Sequence, residues 1–120
     1  MNSTIFWSVG KDEIPILYSL ILEFAIFEQM ESKLNISFQA LEISFEEKII
    51  HAYLIVFEGN AVGFILYEFG NCLFSGKKTI TLENIYVKSE YRKFNLAFRF
   101  KNLLKMQKHL IVLNLNGEVI

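Results

Sequence analysis

The stretch "TLENIYVKSEYRKFNLAFRF", residues 81–100, carries the reading of the fold. It opens as the end of an alternating strand, "TITLENIYV" (79–87), rich in β-branched and aromatic residues. A charged turn follows. Leu96, Ala97, Phe100, Leu103 and Leu104 then recur on one face, which predicts a helix over about 93–108. A helix N-terminus presents unpaired backbone N–H groups and about half a positive charge, so it holds phosphates well. Bringing those amides close to a diphosphate favours glycine or small residues in the preceding turn. In "RKFNLA" (92–97), Arg92 and Lys93 supply charge and Ala97 is small, while Asn95 stands where glycine would fit best. Asparagine tolerates the left-handed backbone at a cost of about 1 kcal/mol. Between Lys88 and Lys108 there are seven basic residues and one acid, Glu90. A solvated basic helix face would look the same, so these residues alone leave both readings open.

Upstream, "TIFWSV" (4–9) is β-prone. Asp12 can cap a helix with Pro15 in its first turn and apolar positions continuing to Met30. Ser37 can cap a second, shorter helix through about Glu46. "HAYLIVFE" and "AVGFILYEF" read as two strands joined at Gly59-Asn60, and a loop over 70–78 leads into 79–87. Gly63 and Gly70 read as strand-bulge or turn glycines. "LIVLNLN" (110–116) gives a last strand. The order is β-α-α-β-β-β-α-β, and no linker or repeat divides residues 1–120, so one α/β domain is expected.

The 120 residues are 52% hydrophobic with a formal net charge of -1, enough for one core and no global reason to expect nucleic acid or an anionic membrane. The single cysteine, Cys72, excludes an intrachain disulfide and fits a reducing cytoplasm. "IPILYSLILEFAIF" is broken by Glu23 and too short to span a bilayer, and the N-terminus does not read as a signal peptide. His51 and His109 lack Cys or acidic partners at ligand spacing, so no metal is expected.

"TLENIYVKSEYRKFNLA" resembles the strand, turn and helix start that define the GNAT superfamily of acetyl-CoA-dependent N-acetyltransferases. There an Arg/Gln-x-x-Gly-x-Gly/Ala turn holds the coenzyme A pyrophosphate, and "RKFNLA" occupies its place. "LEFAIFEQME" (22–31), "VGFILYEF" (62–69) and "LENIYV" (82–87) are similar to segments of the diamine, or spermidine/spermine, acetyltransferases, in the same order and spacing. The resemblance implies a mixed, largely antiparallel sheet flanked by helices. It places the backbone of Ile85, Tyr86 and Val87 along the pantetheine arm and thioester of acetyl-CoA. Arg92, Lys93, Phe94, Asn95, Leu96, Ala97 and Phe98 would wrap the pyrophosphate. Phe27, Glu28 and Glu83 would stand near a small-molecule amine, a polyamine or diamine, while Asn84 replaces an acid found in some relatives.

Only a neutral amine attacks a thioester, so a carboxylate must take the ammonium proton, and Glu83 is the candidate base. Glu28 could hold a distal ammonium, and strand N–H groups at 85–87 could face the oxyanion. The bland alternative makes Glu23, Glu28 and Glu31 the wet side of an amphipathic helix. The sequence ends at "LNLNGEVI", where members of the family continue through a helix and two strands that carry a tyrosine acid for the thiolate. The expectation is therefore a C-terminally truncated, impaired copy with no general acid. An unpaired strand edge would invite a homodimer. The alternative is a non-catalytic remnant that binds coenzyme A or a partner subunit.

Overall fold

The computed structural model describes residues 3–106 and 110–113. Strand β1, Thr4–Ser8, pairs antiparallel with β2, His51–Phe57. Between them lie α1, Ile14–Phe27, and α2, Phe38–Glu46. Strands β3, Asn60–Asn71, and β4, Lys78–Val87, continue the antiparallel ladder. Helix α3, Leu96–Lys105, then leads to β5, Leu110–Leu113, which returns parallel to β4. The sheet order is β1-β2-β3-β4-β5. This is the mixed, largely antiparallel α/β arrangement expected, in the expected order. The part of the last predicted strand at 114–116 lies outside the described residues.

The two faces of the sheet carry separate cores. Ala52, Leu54, Phe64 and Tyr86 pack against Ile14, Leu17, Leu20 and Ile21 of α1 and Leu41 of α2. On the other face, Ile55, Ile65, Leu82 and Val87 meet Leu96, Phe100 and Leu104, the buried stripe of α3. Phe64 is fully enclosed, and such a side chain stabilises by about 1.5–3 kcal/mol through burial.

Local chemistry moves several boundaries. Residues Lys11–Glu13 form a 3-10 turn in which the Glu13 carboxylate accepts the Gly10 N–H at 2.8 Å, so Asp12 does not cap α1. The helix stops at Phe27, not Met30, because Gln29 turns left-handed (φ +56°) and the Met30 N–H reaches back to the Ala25 carbonyl at 2.7 Å. Ser37 caps α2 as expected, its hydroxyl accepting from Ala40 N at 3.1 Å. The β2–β3 turn centres on Glu58 (φ +50°) and Gly59 (φ +83°), one residue earlier than Gly59-Asn60. Two left-handed residues match the twist of a two-residue hairpin, and Asn60 is free to pair with Phe57. Helix α3 begins at Leu96 and not at 93, because Ser89–Phe94 winds as a 3-10 helix that ends in left-handed Asn95. Its Leu103, placed on the apolar face by sequence, is 52% exposed.

Two bulges shape the sheet. Leu66 pairs with Asn84 and Tyr67 with Leu82, which leaves Glu83 as the extra residue of β4. Nearer the start of β3, Ile55 pairs with Gly63 and Val56 with Ala61, so Val62 is extra in β3. A Cβ on Gly63 would lie 2.2 Å from the Tyr86 carbonyl oxygen, so only glycine fits that approach. The bulge reading of Gly63 agrees with this, while Gly70 simply continues β3 opposite Thr79.

Candidate active site

The bulge at Glu83 reverses the alternation of β4. Ile80 and Leu82 face α3; after the extra residue Ile85 and Val87 return to that face, and Asn84 and Tyr86 go to the α1 side. Strand β5 pairs only with Lys78–Thr81, so among the described residues the edge of β4 beyond Thr81 has no strand beside it. The strand ends where the Lys88 N–H donates to the bulged Val62 carbonyl at 2.8 Å.

The chain then enters the 3-10 turn, and Asn95 adopts φ +54°, ψ +41°. The first intrahelical bond of α3 runs from Arg99 N to Asn95 O at 3.1 Å, so the N–H groups of Leu96, Ala97 and Phe98 meet no acceptor among the described residues. Val87, Arg92, Asn95, Leu96, Ala97 and Phe98 line a shallow concavity in front of them. Arg92 is held there. Its Nε donates to the Val87 carbonyl at 2.9 Å, and its guanidinium lies 4.2 Å from the centre of the Phe27 ring. Lys93 and Phe94 do not join the concavity. Phe94 stacks on Phe57 at 4.5 Å, and the Lys93 ammonium lies 5.3 Å from the Phe94 ring. The Ile85 side chain packs into the α3-side core, so only its backbone belongs to the open edge.

The three residues expected around the amine take different surroundings. Glu28, the residue that caps the C-terminal end of α1, lines a cavity together with Asn84. Phe27 lies outside that cavity, beneath Arg92 and 6.0 Å from the Tyr86 ring. Glu83 sits half-buried at the bulge, with no hydrogen bond or ion pair to its carboxylate among the described residues.

A side-chain network that sequence reasoning missed joins α1 to β4. Tyr86 Oη donates to Glu23 Oε1 at 2.8 Å, and Lys88 Nζ stands 3.8 Å from Glu23 Oε2. Burial, and then the Glu23 carboxylate, push the Tyr86 phenol up to about 12. Glu23 is therefore not merely on the wet side of the helix. The available signal was its place four residues before Phe27, on the same helix face. The bulge also left a trace, since the adjacent polar pair Glu83-Asn84 interrupts an otherwise alternating strand.

No protein-family model and no curated protein sequence matches this chain. Solved structures do. One is a possible acetyltransferase from Clostridium difficile 630, with a TM-score of 0.69 and 14% identity over 92% of this chain and 77% of that one. Another is the ribosomal-protein-alanine N-acetyltransferase of Brucella melitensis biovar Abortus 2308, at 0.73 and 15% identity over 93% and 81%. A third is an aminoglycoside acetyltransferase from an uncultured soil metagenomic sample in complex with sisomicin, at 0.72 and 13% identity over 91% and 76%. The fold is that of the GNAT acetyltransferases, as the resemblance implied. At these identities the likeness establishes the fold, and the chemistry must be argued from the site.

Proposed function

We propose that this chain binds acetyl-CoA at the β4–α3 junction and transfers the acetyl group to a primary amine. The observation that carries the reading is the set of free amides at Leu96, Ala97 and Phe98 behind left-handed Asn95, beside the open edge of β4. A diphosphate at that helix terminus would meet three N–H donors, the positive end of the helix dipole and Arg92. The pantetheine arm would run along Ile85–Val87 as an added strand, with the thioester near the bulge. The fold supports this reading, since the likeness extends over 91–93% of this chain.

The amine nitrogen loses its proton to a base and bonds to the thioester carbon. The C–S bond breaks with its electron pair going to sulfur, and the coenzyme A thiolate leaves and takes a proton from solvent. Glu83 is the base we propose. Its carboxylate has no partner among the described residues, whereas Glu23 already accepts from Tyr86 and faces Lys88. N–H groups of Ile85–Val87 on the open edge would stabilise the oxyanion. A polyamine or diamine acceptor, implied by the sequence resemblance, would rest on Glu28 holding the distal ammonium; the lining around Glu28 bears on that choice below.

Thiol release from acetyl-CoA, measured with a panel of primary amines, tests the reading. Turnover should appear with at least one amine, and Glu83→Gln should lower it by about 100-fold or more while coenzyme A binding is unchanged. Calorimetry showing no coenzyme A binding would defeat the proposal. Binding without transfer to any amine would leave a coenzyme A-binding chain and defeat the catalytic part.

A further inference from the structure

A cavity of about 240 Å³ lies between the C-terminal half of α1, the chain leading to α2, and the β3–β4 face of the sheet. Its walls are hydrocarbon, among them Ile21, Phe24, Leu34, Phe64 and Leu66. The polar residues in the lining are Glu28, Lys33 and Asn84. Glu28 and Lys33 are exposed, so both charges stand at the rim, and Asn84 adjoins the bulge. A partly open apolar cavity with one acid and one base at its rim discriminates among amines.

We infer that the acceptor is a primary monoamine with an aromatic or branched-alkyl body, seated in this cavity. The inference rests on the acetyltransferase reading for the reaction but on the cavity alone for the ligand class. An ammonium moved against a hydrocarbon wall loses its hydration and is strongly disfavoured unless it is paired. A polyamine would bring two or more such groups to a lining with one carboxylate, and Lys33 repels the second. A monoamine brings one ammonium, which Glu28 attracts before it loses its proton at the β4 end. Its apolar body fills the space between Phe24, Phe64 and Leu66, where burial is favourable at about 25 cal/mol per Å². A multiply charged aminosugar is excluded by the same charge argument. Its hydroxyls would also find no partners on these walls.

Calorimetry on the 120-residue chain, with and without coenzyme A, is the test. Phenethylamine and isoamylamine should bind at least about tenfold more tightly than putrescine or spermidine, a difference of about 1.4 kcal/mol. Ala25→Phe, which fills the cavity from buried Ala25 on α1, should abolish phenethylamine binding while coenzyme A still binds. Should that variant fail to fold, Met30→Trp at the exposed rim should weaken phenethylamine by a similar factor. Tighter binding of putrescine or spermidine overturns the inference. So does phenethylamine binding that both variants leave unchanged, or the absence of amine binding in a chain that binds coenzyme A. Phenethylamine binding with no coenzyme A binding would sustain the cavity assignment and defeat the acetyltransferase reading.

Discussion

Asn95 holds φ +54°, ψ +41°, so folding already carries its left-handed strain. Sequence reasoning expects an asparagine to tolerate this position at a cost of about 1 kcal/mol. A turn that keeps this conformation on binding carries the same strain with and without coenzyme A. Asn95→Gly should therefore raise stability by up to about 1 kcal/mol in chemical denaturation and leave coenzyme A affinity nearly unchanged. A tightening of about tenfold in calorimetry would mean that the turn rearranges on binding. Tyr86 offers a second residue-scale test. Its phenol is pushed up from 10.0 to about 12, so between those values the unfolded chain loses the proton while the folded chain keeps it. Its contribution is fully present below pH 10.0 and is lost as pH rises toward about 12. Stability should fall more steeply across that interval for the parent chain than for Tyr86→Phe, as followed by urea titrations at stepped pH. At pH 7 the same variant should cost about 1–3 kcal/mol, the value of a hydrogen bond to a charged acceptor.

At the scale of elements, strands β3 and β4 are set by paired irregularities. Val62 bulges in one and Glu83 in the other, and Gly63 lets the two backbones approach. Gly63→Ala would place a methyl against the Tyr86 carbonyl and must displace β4 where the pantetheine arm is proposed to run. We expect a loss of about 1–3 kcal/mol in thermal or urea unfolding, with coenzyme A binding weakened in the same variant. An alanine that is neutral in both assays would mean that the strand pair yields at little cost. The helices show how far local pattern reaches. The Ser37 cap follows from side-chain chemistry within a few residues. The end of α1 and the start of α3 do not, because Gln29 and Asn95 take left-handed conformations that no glycine announces.

For the molecule as a whole, a net charge of -1 gives little long-range field, so an anionic ligand must be recognised by local groups. Arg92 is the cation whose guanidinium is fixed in the concavity, though one of its N–H groups is committed to Val87. Arg92→Ala should weaken coenzyme A binding by about tenfold or more and flatten its dependence on salt, both measured by calorimetry at two ionic strengths. Equal affinities for variant and parent would mean that the basic turn is only a solvated face.

The sequence by itself determined the order of elements, the hairpin at the centre of the sheet and the strand-to-helix junction at 86–100. Those depend on periodicity and turn chemistry, which act between neighbours in the chain. It also placed Asn95 and Arg92 at that junction. Only the tertiary structure decided what the side chains do there. The bulge at Glu83 turns Asn84 and Tyr86 toward α1, and Tyr86 meets Glu23 across 63 positions of sequence. The tertiary structure likewise put Phe27 beneath Arg92 and Glu28 at the rim of the cavity that Asn84 lines. A bulge shifts every later side chain to the opposite face, so one inserted residue outweighs any pattern read along the strand.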